Sequence, residues 1–341
     1  MSLPSPFAPR PAARVLPAKP AVAPLQVQQL ADIMAAAVAF YQHGFGNGET
    51  THWPCLDEFW TWLKKEITII TGNANHGKSR MIHSVMLLKA AFAGWRFAVF
   101  VPENEEDFYV EMAQMLVGRT ANLKFANSRM SLDELQKAIA WVYEHFVVVT
   151  APEGATPKQL LDEFARLHAE KPLDGVLIDP WNQLAHDWQS REDIYLSEQF
   201  GILKRFAIKH NVALLVTAHP AGQSKDKAGN LVRPDAYSIS GGKMWNNKFD
   251  NVLAVFRPTF PDPETELWIH KIKKQGRVGQ PGMLPLLYER PTFRYFPQVG
   301  DGQHPLEKVS FNAPGDPAPE WNANNLPAST FDAKPLPNAP F

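Results

Sequence analysis

The sequence predicts an α/β fold with a mainly parallel central sheet, and three observations carry that expectation. From Ile67 to Thr217, β-forming runs alternate with helical stretches: ITIIT (67–71), RFAVFV (96–101), FVVVT (146–150), VLID (176–179) and VALLVT (212–217). Strands separated by helices pair in parallel, because the chain must cross back over the sheet before the next strand begins. Several of these runs are apolar throughout, the pattern of strands covered on both faces. Beyond Val252 the character changes to VLAVF, ELWIHKIK, MLPLLYE and FRYF with short connections, which predicts antiparallel strands added at one edge.

Taken in chain order, residues 1–24 carry seven prolines without helical or strand period and read as a disordered Pro/Ala-rich tail. Residues 25–49 form a linker: a helix over Leu25–His43 with apolar residues at Leu30, Ile33, Met34, Ala37 and Phe40, then a Gly-rich loop. Residues 50–299 hold the α/β domain. Within it one helix runs through Met112 and Leu116, another opens at Thr156-Pro157, and a long one spans Glu192–His210. Residues 300–341 form a second Pro-rich tail. One domain of about 240 to 280 residues is ample for a large core.

The net charge of −1 gives no global field for collecting nucleic acid, so any polyanion site must be local. A single cysteine, Cys55, excludes an intrachain disulfide and a cysteine-based metal cluster. No apolar run approaches the roughly 20 residues that span a bilayer, so no membrane contact is expected. Residues 1–31 contain Arg10, Arg14 and Lys19 and no acid, as organellar transit peptides do, but their dense proline argues against the amphipathic helix such a peptide uses. The expected location is therefore cytoplasmic, in a bacterial or phage-infected cell, ahead of a mitochondrion.

The stretch GNANHGKS lies between the first strand and a helix. It fits G-x-x-x-x-G-K-[ST], in which loop N–H groups wrap phosphate oxygens, the lysine reaches the β/γ-phosphates and the hydroxyl holds Mg²⁺. Gly72, Asn73, Ala74, Asn75, His76, Gly77, Lys78, Ser79 and Arg80 are thus the expected nucleotide-binding residues, with Asn75 and His76 as loop fillers. ATP and Mg²⁺ are the expected cofactors. Asp179 ends the strand VLID, where a carboxylate can hold the Mg²⁺ water shell beside Ser79. Glu103, in FVPENEED, follows the second strand at the same edge, where it can orient and deprotonate an attacking water. His219, ending VALLVTAHP, is placed to contact a γ-phosphate as a neutral donor.

GNANHGKS, FVPEN, VLIDPWNQL, KRFAIKHNVALLVTAHP, DAYSISGGKMWNNKFDNVLAVFR and IHKIKKQGRVGQPG together resemble the helicase domain of the DnaB-like family, superfamily 4, most closely the branch of Twinkle and the phage primase-helicases. The resemblance spans about residues 50–297. It implies a RecA-like P-loop NTPase core and a homohexameric ring that hydrolyses ATP between subunits and pulls single-stranded DNA through its centre during replication. It implies that Lys78 and Ser79 lie in the phosphate loop, that Glu103 is the catalytic glutamate, Asp179 the Walker B aspartate and His219 the γ-phosphate sensor. The family's trans-acting basic finger falls in a K-x-R segment, which here reads Lys271-Ile272-Lys273-Lys274-Gln275-Gly276-Arg277. One alignment makes Lys273 the finger and another Arg277, and the planar guanidinium favours Arg277. Lys225, Lys227, Arg233 and Lys243, on a Gly-rich loop, are the expected DNA contacts. Other replication proteins are expected to bind through the C-terminal tail, and residues 1–24 are too short to hold a primase. The competing readings are an ATP-switched recombinase-type filament and a non-motor P-loop ATPase that loads a partner.

Overall fold

The computed structural model of the chain describes residues 27–44, 46–151, 154–186, 191–227, 229, 231–300 and 302–308. The N-terminal tail, the expected helix start at Leu25 and most of the C-terminal tail lie outside the described residues. These residues fall into two compact units, one ending at Gly46 and one beginning at Asn47.

The first unit is α1 (Leu30–His43), which leaves Leu30, Ile33, Met34, Val38 and Phe40 exposed. The second unit opens with the short α2 (Pro54–Asp57) and a segment that buries Trp53, Trp60 and Trp62. It continues through β1 (Ile67–Gly72), α3 (Lys78–Ala93), β2 (Phe97–Phe100), α4 (Phe108–Val117), α5 (Leu132–His145), β3 (Phe146–Val148), α6 (Pro157–Glu170), β4 (Gly175–Ile178), α7 (Glu192–His210), β5 (Ala213–Thr217) and α8 (Gly242–Lys248). The chain ends in β6 (Asn251–Phe256), β7 (Glu264–Ile272), β8 (Gly282–Glu289) and β9 (Arg294–Pro297).

Among the described residues, nine strands form one sheet in the order β3-β2-β4-β5-β1-β6-β7-β8-β9. The strands β1 to β5 pair in parallel as the sequence predicts. One expectation needs correcting: β6, expected among the antiparallel additions, pairs in parallel with β1, Thr68 opposite Asn251. The connection from β5 runs through the long loop and α8, which returns the chain to the end at which β1 starts. The antiparallel part begins only at β7 and continues through β8 and β9.

Both faces of the parallel sheet are covered, which is why its strands are apolar throughout. Ile69, Leu214 and Val216 pack with Phe164 of α6 and Phe200 and Leu203 of α7. Ile70 and Leu215 point the other way, toward Met86 of α3 and Met112 of α4. Each such large side chain contributes roughly 1.5–3 kcal/mol relative to exposure.

Local signals set the helix ends. Thr156 accepts from the backbone of Gln159 in a capping box and Pro157 follows at the first helical position. A second capping box, Ser131 with Glu134, starts α5. That helix is absent from the sequence-based reading although the S-x-x-E signature is there, because the apolar run FVVVT immediately after it dominates the pattern.

Candidate functional site

The parallel strands all end at one edge of the sheet, and the residues singled out for nucleotide chemistry converge there. β1 stops at Gly72, where a Cβ would stand 2.5 Å from the Val255 carbonyl oxygen. The loop then turns to Gly77, whose φ of +91° suits glycine and where a Cβ would meet the Tyr295 hydroxyl at 2.2 Å. Tyr295 donates to the Gly77 carbonyl at 3.0 Å. α3 opens directly at Lys78, so its first N–H groups, which have no partner within the helix, face the loop.

Lys78 is buried, and its ammonium donates to the Asn73 carbonyl at 3.3 Å and to His219 Nδ1 at 3.1 Å. Burial pulls the Lys78 pKa down while the carboxylates of Asp179 and Glu103 oppose it. His219 accepts on Nδ1 and is held below the usual histidine range by burial and then by Lys78, so it is a neutral imidazole. Asp179 is also buried, and its Oδ1 accepts from the Thr217 hydroxyl. Burial raises its pKa, opposed by hydrogen bonds from Thr217 and Ser79 and by Lys78. Glu103 is exposed, and its Oε1 accepts from Gln183 Nε2 at 2.9 Å.

A hydroxyl and a carboxylate side by side form an oxygen-only donor pair, the kind a hard divalent cation takes when phosphate oxygens and water complete its shell. Among the described residues no group of three or more His, Cys, Asp and Glu could hold a metal alone. Ser79 and Asp179 therefore fit a cation shared with a bound phosphate.

Two residues, His76 and Arg80, differ from expectation. His76 is no filler: it is buried, lies flat against Phe260 with centroids 5.7 Å apart, and accepts the Arg257 backbone N–H on Nδ1 at 3.0 Å. Burial lowers its pKa to about 4. Its side chain splints the loop to the end of β6, leaving only its backbone to face a phosphate. Asn75 is the exposed tip, at positive φ. Arg80 turns its guanidinium away, donating to Glu111 at 2.7 Å and lying 4.3 Å from the Phe293 ring centroid. A salt bridge of that kind holds α3 to α4, and the Arg80 side chain is no nucleotide ligand here.

The basic segment lies at the opposite edge of the sheet. Lys273 pairs with Asp250 at 3.1 Å, Lys274 with Glu66 at 3.1 Å, and Lys271 donates to the Phe249 carbonyl at 2.7 Å. Asp250 also accepts the Ile67 backbone N–H at 3.0 Å, fixing it at the start of β1. No cation of this segment can serve its own phosphate loop, which lies at the far end of β1. Arg277 is half-buried and lines a cavity of about 370 Å³ with Asp57, Glu58 and Gln280.

Lys225, Lys227 and Lys243 are exposed. Arg233 instead stacks on Trp268, 3.5 Å from the ring centroid, which ties the loop to β7. Sequence reasoning missed Tyr295 and the pair Arg257–Tyr288, with the guanidinium 5.5 Å from the ring centroid, beside the loop. Tyr295 lies 218 residues from Gly77, and nothing local in the sequence signals that contact.

No family model matches the chain. Among solved structures, an isolated ATPase domain superposes on it with a TM-score of 0.64 at 14% identity, covering 79% of this chain and 99% of that one. A DnaB-like replicative helicase, from a structure of that protein and its interactions with primase, gives 0.65 at 14% identity, covering 78% and 68%. The fold is that of a DnaB-like helicase ATPase domain. In sequence, the chain is similar to the Twinkle homolog protein, chloroplastic/mitochondrial, of Arabidopsis thaliana, 27% identical over 274 residues and 75% of this chain. It spans 38% of that protein's length. The DnaB-like resemblance read from the motifs, with its Twinkle branch, is upheld. The cytoplasmic location is not: the Twinkle relative is chloroplastic/mitochondrial, which points to an organelle and away from a bacterial cytoplasm.

Proposed function

We propose that the chain is an ATP-driven replicative DNA helicase subunit that works in a ring, moves along single-stranded DNA and acts in an organelle. The observation that supports this best is the split of charge between the two edges of the sheet. The phosphate loop, Asp179, Glu103 and His219 gather at one edge, and the Lys273–Arg277 segment lies at the other. Such a site is complete only when a second copy brings its basic segment to the first copy's phosphate loop.

In this reading the loop N–H groups and Lys78 bind the phosphates of ATP. Ser79 and Asp179 hold Mg²⁺, which when bound neutralises charge on the phosphoryl oxygens. Glu103 orients a water and takes its proton. His219, neutral and already bonded to Lys78, senses the terminal phosphate. Arg277 is the residue offered to the neighbour, since its planar fork suits phosphoryl oxygens and Lys273 is committed to Asp250. The exposed Lys225, Lys227 and Lys243 grip DNA phosphates without reading bases. α1 carries an apolar stripe on exposed positions and is the segment that holds the ring by docking on another copy.

Electron microscopy of the full chain with an ATP analogue and single-stranded DNA tests the proposal. Closed six-membered rings together with DNA-stimulated hydrolysis support it. Extended filaments, or particles that hydrolyse ATP without regard to DNA, overturn it.

A further inference from the structure

We infer that Gln183 is a positioning residue for Glu103: it holds one oxygen of the carboxylate so that the other faces the attacking water. This rests on the reading of Glu103 as the base.

Gln183 Nε2 donates to Glu103 Oε1 at 2.9 Å across 80 residues of sequence. An ionised carboxylate only accepts hydrogen bonds, and a primary amide supplies N–H donors without charge. The bond therefore fixes the rotation of the carboxylate and leaves Oε2 as an acceptor, without the neutralisation that a lysine or arginine would bring.

The mounting of Gln183 supports the role. It lies in the single 3₁₀ turn Trp181–Gln183 that follows Asp179. Trp181 and Leu184 on either side are buried, and Trp181 meets Phe200 edge-on at 5.6 Å. The Ala185 backbone N–H donates to the Ala155 carbonyl at 2.8 Å, closing the segment down. Gln183 itself is exposed, so a turn anchored by buried neighbours carries a side chain that reaches outward to Glu103.

Glu103 is held from its other side as well. The neighbouring Asn104 donates through Nδ2 to Glu111 at 3.2 Å, and Glu111 accepts from Arg80 at 2.7 Å. Arg80 directly follows Ser79. Glu103 thus stands between two tethers, one leading through Gln183 to the Asp179 turn and one through Asn104, Glu111 and Arg80 to Ser79. Those ends are the two residues that fit the cation, and of the two tethers it is the Gln183 bond that reaches the carboxylate itself. A hydrogen bond between two exposed side chains adds little to stability, so its loss should read out in turnover.

The test is hydrolysis by full-length Gln183→Ala in the presence of single-stranded DNA, with Gln183→Met as a same-length variant lacking the donor. Both should lower kcat on the order of 10-fold to 10²-fold, the scale of a misplaced reacting group. Nucleotide KM should stay within about twofold, and the melting temperature should not move. In a Glu103→Gln background, measured by single-turnover hydrolysis, adding Gln183→Ala should change nothing further, because a residue that acts through Glu103 has nothing left to position. Wild-type turnover in Gln183→Ala, or an equal loss in the Glu103→Gln background, would overturn the inference while Glu103 keeps its role. Near-normal turnover in Glu103→Gln alone would remove the base assignment and this inference with it.

Discussion

Asp179 and Asp250 are two aspartates buried to a similar degree at opposite edges of the same sheet, and their surroundings differ in kind. Asp250 receives ammonium groups from Lys204 and Lys273 and the Ile67 N–H, and these partners together hold its carboxyl below the usual range despite burial. Asp179 has the hydroxyls of Thr217 and Ser79 and the more distant Lys78, and burial wins, so its carboxyl is raised. The difference separates a structural carboxylate from the one proposed as functional. A buried charge saturated with partners fixes a strand end, whereas Asp179, with two hydroxyls, His83 Nε2 at 3.7 Å and the more distant Lys78, is the carboxylate proposed for a cation that arrives with its ligand. The lysines follow the same division: Lys273 and Lys274 neutralise buried acids, while Lys78 meets a neutral histidine and a carbonyl.

The largest effect should come from the functional edge. Glu103→Gln removes a base but no phosphate contact, so hydrolysis should fall on the order of 10²–10⁴-fold while an ATP analogue binds with near-normal affinity. Fluorescent-analogue titration beside a phosphate-release assay measures both. Loss of binding together with turnover would mean that Glu103 shapes the loop rather than the chemistry.

Next in size is the pair at the structural edge, where the comparison predicts opposite behaviour for neighbouring cations. Lys273→Ala takes one of two ammonium groups from Asp250. Since the Lys273 side chain is 58% exposed, the stability loss should stay near or below about 1 kcal/mol, with little inhibition of wild-type partners. Arg277→Ala should poison mixed assemblies, because each such subunit spoils its neighbour's site. Titrating each variant into wild type and following hydrolysis tells them apart. Simple dilution for both would place the finger elsewhere.

A smaller effect is expected from changing Lys225, Lys227 and Lys243 together to alanine. Single-stranded DNA binding should weaken, and the slope of log affinity against log salt should flatten by about 2, at roughly 0.7 per lost phosphate contact. Arg233→Ala should do less to the salt slope and more to the loop's order, since Arg233 is spent on Trp268. An unchanged slope in the triple variant would put the DNA path on another surface.

How far the sequence was legible depended on the range of each contact. The gathering of the phosphate loop, Asp179 and His219 at one edge of the sheet could be read because their placement follows from position at a strand end, which hydrophobic runs reveal. The Ser131 capping box was equally local and was masked by the strand run beside it. The parallel pairing of β6 was hidden because short apolar runs carry no direction, and only the crossover through α8 supplies it. His76, Arg80, Lys273 and Tyr295 required partners 23 to 218 residues away, and no short window of sequence contains them. For these four the residue type was visible and the assignment depended on packing.

The subtlest expected effect concerns His76 and its buried relatives, and it extends the comparison to groups that must stay uncharged. Burial lowers the pKa of both His76 and His83 to about 4 and that of His304 well below the ordinary value. In the unfolded chain each would bind a proton near 6.5. Between about pH 6.5 and pH 4 the unfolded state therefore holds more protons than the folded state. Stability is fully present above 6.5 and is lost as pH falls through that window, at up to roughly 1.4 kcal/mol per pH unit for each histidine. Acids whose pKa values are depressed, such as Asp250, titrate lower, so the histidines dominate the interval from pH 6.5 to 5, with Asp179, raised by burial, acting in the opposite sense. Denaturant midpoints across that interval should decline with a slope of at least about two to three protons, since burial also lowers His52, His145, His186, His210, His219 and His270. His76→Asn offers an amide oxygen to the Arg257 N–H in place of Nδ1 and cannot titrate, so it should lower the slope by about one proton while the loop still binds nucleotide. A variant with an unchanged slope would mean that His76 is already protonated in the folded chain, which is incompatible with its accepting the Arg257 N–H on Nδ1. The same variant losing nucleotide affinity at every pH would show that the imidazole stack on Phe260, rather than that hydrogen bond, is what holds the phosphate loop to β6.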